Sequence, residues 1–193
     1  MIDFQIKISR LIPKIAIISP SVRKGRNSHK IALYFSNLLK EMDIIDHEIL
    51  DLLEYNFPLF NERLKYQESP TQGMISFSDK IKSASGVIII SPEYNGGIPA
   101  SLKNAVDLLT DEWRRKPVAF VTVSDGNYAG TQAVIPLQFT LWKLGALTLS
   151  ATMRLPNIRN SFNENGVPSD KELTDKRAIA FINEFLRHIE SIK

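Results

Sequence analysis

Short apolar runs alternate with amphipathic segments over most of the chain. Residues 14–19, 86–90 and 118–123 are almost continuously apolar and rich in β-branched side chains. Such runs are typical of parallel strands that are buried on both faces. Two further segments, residues 47–53 and 147–154, complete a set of five predicted strands.

Helices are predicted between these strands wherever apolar residues recur every three to four positions. The first helix spans about residues 28–42, and Ser28 is its expected N-cap. Pro99 fits the first position of the helix after the third strand, because proline lacks the N–H that would be unpaired there. Pro136 is awkward inside the helix predicted at about residues 133–144, so it indicates a late start or a kink. Further helices are predicted at about residues 71–83 and near the C-terminus, where the apolar stripe is Ala178, Phe181, Ile182, Phe185, Leu186 and Ile189.

This alternation predicts an α/β fold in which a parallel sheet is covered by helices on both faces. Five strand–helix units fit a flavodoxin-like three-layer sandwich with strand order 2-1-3-4-5, forming one domain over residues 1–193. In that order the loops after strands 1 and 3 flank a crevice, and the loop after strand 4 forms its far wall. Residues 1–13 could form an extra N-terminal strand or an ordered leader, and residues 53–70 form a connection long enough to be functional.

Composition and charge narrow the classes of protein. The chain has 44% hydrophobic residues and no cysteine, and no apolar run approaches the roughly 20 residues of a membrane span. The lack of cysteine excludes disulfides and thiolate chemistry, and a cytoplasmic protein without a membrane partner is expected. The net charge of +3 arises from 24 basic and 21 acidic residues that are dispersed, so no nucleic-acid partner is predicted. The three histidines are scattered in the sequence, and no metal site is predicted.

The loop after the first strand has the composition of an anion-binding loop. Hydroxyl groups, guanidinium groups and free backbone N–H groups come together at the positive end of the first helix. Arg23 is the preferred anion ligand, because arginine donates planar, charge-assisted hydrogen bonds, whereas Lys24 is expected to face solvent. A plain solvated loop is the alternative. The candidate residues are Ser19, Ser21, Arg23, Arg26, Asn27 and Ser28.

The loop after the third strand is suited to a flat, apolar ring. An aromatic side chain can pack on such a ring, and the glycines allow it to approach the backbone. An ordinary turn with Tyr94 half-buried is the alternative. Glu93 is expected to hold the loop through hydrogen bonds, and Lys103 and Asn104 are expected to be structural. The candidate residues are Pro92, Glu93, Tyr94, Asn95, Gly96 and Gly97.

The loop after the fourth strand, residues 124–130, offers small residues and amides for the polar edge of a ring. Its candidates are Ser124, Asp125 and Gly126. Taken alone, this loop is a weak signal.

Three sequence strings resemble a known family. They are SxRxGR at 21–26, PEYNGGIPASLKNAVD at 92–107 and KPVAFVTVSDGNYAGTQA at 116–133. They are similar in order and spacing to the NADPH-dependent FMN reductase family, which includes quinone, azo-compound and chromate reductases. The resemblance extends over roughly residues 14–155 and is most specific in the second string.

The resemblance implies a cofactor, a site and an assembly. It implies that FMN binds with its phosphate on Ser21, Arg23, Arg26 and Ser28 and its isoalloxazine against residues 92–97. It places residues 124–126 near the pyrimidine edge of that ring. It further implies a homodimer or homotetramer with the flavin near the interface.

Several positions depart from the family pattern. Pro20 replaces a usual glycine, Ser28 replaces a frequent asparagine, and the pair Ala129–Gly130 replaces two glycines. Asp125 occupies a position where a small residue is common. If its carboxylate points inward, it disfavours the anionic reduced flavin and lowers the reduction potential.

The function predicted is that of an FMN-dependent oxidoreductase with NADPH or NADH as co-substrate. Hydride from the nicotinamide passes to FMN and then to a small acceptor such as a flavin, quinone, azo compound or metal oxyanion. Because the cofactor carries this chemistry, no catalytic side chain is required. Two alternatives are a flavodoxin-like electron-transfer protein without NAD(P)H reductase activity and a binding or regulatory protein that has lost flavin.

Overall fold

A computed structural model describes residues 13–192 and contains a five-stranded parallel sheet in the order β2-β1-β3-β4-β5. The order and the α/β class confirm the prediction. The expected N-terminal strand or leader lies, apart from Pro13, outside the described residues. The strands are β1 (Ile15–Ser19), β2 (His47–Asp51), β3 (Gly86–Pro92), β4 (Pro117–Val123) and β5 (Leu147–Leu155).

Helices cover the sheet on both faces and complete the three layers. α1 and α7 pack on one face, and α3, α4 and α5 pack on the other. The helices are α1 (Asn27–Glu41), α2 (Leu52–Tyr55), α3 (Gln72–Ser83), α4 (Ala100–Leu108), α5 (Val134–Lys143), α6 (Ile158–Ser161) and α7 (Lys171–Ile192). Short 3-10 turns lie at Leu64–Tyr66, Asp111–Trp113 and Thr131–Ala133.

The central strand β3 shows why the apolar runs form this sheet. All seven of its residues are buried. Ile88 and Ile90 face the layer of α1 and α7, while Val87 and Ile89 face the opposite layer. Each such side chain contributes about 1.5–3 kcal/mol when it is fully buried. A continuous apolar run is therefore what a strand between two helical layers requires.

Several helix and strand ends differ from the prediction by one or two residues. β2 ends at Asp51 rather than at residue 53, because Oδ1 of Asp51 accepts the N–H of Leu53 at 3.0 Å and caps α2. The prediction that Ser28 is the N-cap residue of α1 is wrong. Arg26 is the N-cap residue, and Ser28 is buried in the first turn of the helix. Pro99 is the N-cap residue of α4 rather than its first helical residue.

Pro136 lies in the first turn of α5, which begins at Val134 after the 3-10 turn. Proline is tolerated there because the N–H groups of a first turn have no partner within the helix. The helix starts one residue after the predicted residue 133 and still contains Pro136. Among the described helices, none combines the length and apolarity needed to cross a membrane.

Candidate functional site

The first loop, residues 20–26, and the second loop, residues 93–99, meet at the carboxyl edge of the sheet. Ser21 Oγ and Tyr94 Oη share a hydrogen bond of 2.5 Å. The guanidinium carbon of Arg23 lies 5.3 Å from the centre of the Tyr94 ring, within the range of a cation–π contact. Tyr94 thus packs against the first loop, and the two loops are in contact at this edge.

The second loop is a tight turn that keeps one face open. Tyr94 and Gly97 exchange two backbone hydrogen bonds, of 2.9 and 3.0 Å. Between them, Asn95 and Gly96 have φ values of +51° and +79°. A Cβ atom built on Gly96 meets no heavy atom within 4 Å. The backbone of this turn can therefore be approached by a flat ligand.

Glu93 connects the second loop to the end of β4 and to the 3-10 turn that follows the third loop, residues 124–130. Its Oε2 accepts the backbone N–H of Gln132 at 3.1 Å, and its own N–H donates to Val123 O at 3.4 Å. These contacts hold loops in place, as expected for Glu93. A carboxylate already engaged with a backbone N–H is poorly suited to proton transfer.

Arg26 is engaged with a residue that the sequence analysis missed. Its guanidinium makes a two-nitrogen ion pair with Asp51, with Nη2 lying 2.5 Å from Oδ2, and it also donates to Ser21 O at 2.9 Å. Asp51 is 4% exposed and Arg26 is 14% exposed. Arg26 thereby ties the first loop to the end of β2. A signal was present in the sequence, because Asp51 lies near the end of a strand predicted to lie beside strand 1, and in the structure it pairs with Ser19.

Ser19 and His29 lie beneath the first loop. Ser19 is fully buried, and its Oγ lies 3.0 Å from Nδ1 of His29. The same nitrogen is 3.4 Å from Oδ2 of Asp51. Burial, reinforced by the positive charge of Arg26, lowers the pKa of His29, so its neutral form is favoured at pH 7. Ser19 therefore supports the loop from within rather than lining the crevice.

The remaining groups of the first loop suit a phosphate. Asn27 and Ser28 occupy the first turn of α1, where backbone N–H groups are free and the helix dipole is positive. Ser28 Oγ is buried and has no hydrogen-bond partner among the described residues. Buried hydroxyls are rarely left unpartnered, so a bound phosphate oxygen would satisfy this one. Arg23, which is exposed, can add a guanidinium from the outer side.

The third loop is anchored to the segment that follows β5. Ser124 N donates to Leu155 O at 3.3 Å, and Ile158 N donates to Ser124 O at 3.2 Å. Ser124 Oγ donates to Gly126 O at 3.0 Å. The carboxylate of Asp125 does not stand alone, because its Oδ2 lies 2.9 Å from Nη2 of Arg159.

Lys103 and Asn104 have the structural roles expected of them. Lys103 forms an ion pair with Asp107 one turn further along α4. Asn104 accepts the N–H of Phe60 and donates to Pro58 O at 2.8 Å. The long connection between β2 and α3 is thus fastened to α4. Among residues 13–192, no group of three or more His, Asp or Glu side chains could hold a metal ion.

The sheet has a flavodoxin-like strand order, a first loop that suits an anion, and an open, glycine-bearing second loop. This combination is typical of proteins that bind flavin mononucleotide at the strand switch point. Comparison with known families identifies the class further. The sequence profile of "NADPH-dependent FMN reductase" matches residues 13–159, and the chain belongs to that family. The predicted family, the oxidoreductase class and FMN as cofactor are thereby confirmed, in preference to an electron carrier.

Curated relatives carry related names. A 131-residue alignment with the NAD(P)H-dependent FMN reductase of Schizosaccharomyces pombe is 34% identical and covers 64% of this chain but only 63% of that protein. The quinone reductase of Pseudomonas putida KT2440 is 29% identical over 184 residues, which cover 89% of this chain and 91% of the relative. The NADPH azoreductase of Bacillus sp. OY1-2 is 27% identical over 129 residues, or 66% and 68% of the two chains.

Solved structures share the fold. The flavoenzyme NAD(P)H:(acceptor) oxidoreductase FerB of Paracoccus denitrificans has a TM-score of 0.76 at 24% identity, covering 93% of this chain and 98% of FerB. A flavodoxin variant of Pseudomonas aeruginosa has a TM-score of 0.53 at 15% identity, covering 92% and 99%. At these identities the likeness concerns the fold alone.

Proposed function

We propose that this protein is an FMN-dependent NAD(P)H oxidoreductase that reduces a small acceptor such as a quinone, azo compound, flavin or metal oxyanion. The observation that carries the proposal is the junction of the first two loops. This contact joins Ser21 to Tyr94: the first loop leads to the buried, unpartnered hydroxyl of Ser28 in the first turn of α1, and the second loop contains the open turn at Gly96.

In this proposal the phosphate of FMN binds to Ser21, Arg23, Ser28 and the N–H groups that begin at Asn27. Arg26, which the family resemblance assigned to the phosphate, is already paired with Asp51 and serves mainly to hold the loop. When it is bound, FMN accepts hydride from NAD(P)H and supplies two electrons to the acceptor. The overall reaction with a quinone is NAD(P)H plus a proton plus quinone giving NAD(P)⁺ plus hydroquinone.

The isoalloxazine is proposed to lie against residues 92–97, with residues 124–126 near its pyrimidine edge. Tyr94 provides a packing surface, and the turn at Asn95 and Gly96 leaves space for the ring. Glu93 holds this turn to the 3-10 turn at Thr131–Ala133 through its contact with Gln132. The role of these residues is to orient the ring and to exclude water, which is the protein's share of cofactor chemistry.

Small-molecule acceptors are supported by the names of the relatives, which include quinone reductase and NADPH azoreductase. Either NADPH or NADH serves as the hydride donor in this proposal. The proposed location is the cytoplasm, where both nucleotides are available. Fractionation of cells that express the tagged full chain tests that location.

A largely exposed apolar stripe on α5 supports a homodimer or homotetramer. Ile135, Phe139 and Trp142 lie one turn apart on one face of this helix, and the rings of Phe139 and Trp142 are 5.8 Å apart. An apolar stripe of this kind is typical of a surface that a partner covers. Sedimentation velocity of a variant with Phe139→Glu and Trp142→Glu should give monomers. Leu59→Glu, which also adds a charge at an exposed apolar residue, is the matched control and should leave the assembly intact.

A pair of neighbouring substitutions tests the phosphate site. Arg23→Gln should weaken binding of FMN about tenfold or more, the usual effect of losing a charge-assisted hydrogen bond. Binding of riboflavin, which has no phosphate, should not change. Lys24→Gln removes the same charge one residue away and should leave both affinities near the wild-type values. Quenching of flavin fluorescence measures all of these, and equal losses for FMN and riboflavin in Arg23→Gln would contradict the assignment.

A further inference from the structure

The ion pair between Asp125 and Arg159 changes the charge that the third loop presents to a bound flavin. Asp125 follows β4 at the carboxyl edge of the sheet, where the first two loops also lie. Arg159 belongs to α6, which is fastened to the same loop by the hydrogen bond from Ile158 N to Ser124 O. The backbone therefore brings the guanidinium to the Asp125 carboxylate, at 2.9 Å.

We propose that Arg159 is a positioning residue that neutralises Asp125 and so keeps the reduction potential of bound FMN from falling. The proposal rests on the proposed function, because it requires FMN beside residues 124–126. An uncompensated carboxylate there would repel the negative charge that two-electron reduction places on the flavin. The positive charge of Arg159 offsets that repulsion and ties the carboxylate to the α6 side of the loop.

The exposure of the pair argues for an electrostatic role rather than a structural one. The side chain of Asp125 is 51% exposed and that of Arg159 is 73% exposed. Ion pairs this accessible contribute only about 0–1 kcal/mol to folding, because water screens them and the side chains lose freedom. A ligand that covers the crevice displaces water, and the effective dielectric constant between nearby charges falls. The pair therefore acts more strongly on a bound flavin than on the stability of the free protein.

If Arg159 neutralises Asp125, the two single variants should shift the reduction potential of bound FMN in opposite directions. Arg159→Gln leaves the carboxylate uncompensated and should lower the equilibrium constant for two-electron reduction about tenfold, which corresponds to about 30 mV. Asp125→Asn leaves the guanidinium uncompensated and should raise it by a similar factor. The double variant should return close to wild type, and Arg159→Lys should retain most of the wild-type potential.

The measurement is the reduction potential of FMN in each holoprotein, by anaerobic equilibration with reference dyes. Arg187→Gln is the matched control, because Arg187 pairs with Glu184 on α7 with side-chain exposures of 66% and 48%, close to those of the proposed pair. It should not shift the potential. Thermal melting of every variant should stay near wild type, since both pairs are exposed.

The outcomes separate this proposal from the proposed function. If the wild-type protein binds FMN and the single variants leave the potential unchanged, or shift it in the same direction, the role of Arg159 is overturned and the proposed function stands. If the wild-type protein does not bind FMN, both are overturned. Opposite shifts that cancel in the double variant support the proposal.

Discussion

Replacing Asp51 with asparagine removes the negative charge that holds the first loop to β2. Asp51 receives the guanidinium of Arg26, caps α2 through the N–H of Leu53, and lies 3.4 Å from His29. The substitution keeps the size of the side chain and one acceptor oxygen, but it leaves the Arg26 charge without a counter-ion at a site that is only 14% exposed.

The magnitude follows from the burial of the pair. Breaking a buried ion pair by removing one partner costs about 3–5 kcal/mol. The oxygen that asparagine retains can still cap α2, so the lower end of that range, about 3 kcal/mol, is expected. For a domain of this size that corresponds to a fall of roughly 6–12 °C in the thermal unfolding midpoint.

The assay is thermal and urea unfolding of the flavin-free protein, followed by circular dichroism. Glu184→Gln is the matched control, because it removes one negative charge from the exposed pair with Arg187 and should cost less than about 1 kcal/mol. If Asp51→Asn unfolded within about 1 kcal/mol of wild type, the first loop would not depend on this ion pair, and the reasoning would be refuted.

Four further substitutions test single features of the site and its surroundings. Ser28→Ala should weaken FMN binding about tenfold, by fluorescence titration, without destabilising the flavin-free protein, because the buried hydroxyl lacks a partner among the described residues. His29→Gln should flatten the fall in thermal midpoint on acidification. The lowered pKa of His29 means that wild-type stability is full above about pH 6.5 and is lost as the pH falls below it. Gly130→Ala should cost roughly 2 kcal/mol or more in urea unfolding, because φ is +74° and the new Cβ would lie 2.9 Å from Val123 O. Gly25→Ala, at φ +69° with open space around it, should cost only about 1 kcal/mol.

The parts of the fold that could be predicted are those in which local pattern and burial agree. β3 and β4 are almost continuously apolar, and each of their residues is buried between two helical layers. The end of β2 was predicted too late because Leu52 and Leu53 extend the apolar pattern. A strand and the first turn of a short helix have the same composition there, and only the capping contact of Asp51 distinguishes them.

The loops of the candidate site could be predicted from the sequence, but its ion pairs could not. Pro92 to Gly97 form a distinctive string directly after a predicted strand, so the position of the second loop followed from the strand order. Arg26 and Asp51 are 25 residues apart, and Asp125 in the third loop pairs with Arg159 in α6. Such contacts depend on the strand register and on where α6 packs, neither of which a single sequence specifies. The sequence therefore predicted a negative charge at Asp125 but not the positive charge of Arg159 that pairs with it.

The most direct test of the central claim is the anaerobic reduction of the FMN-loaded protein by NAD(P)H. Purified protein, reconstituted with FMN and freed of unbound flavin, is mixed with NADPH or NADH in the absence of oxygen, and the visible absorbance of the flavin is followed. We expect at least one nucleotide to bleach the flavin stoichiometrically and a quinone then to restore its colour. Protein that binds no FMN, or bound FMN that neither nucleotide reduces, would contradict it.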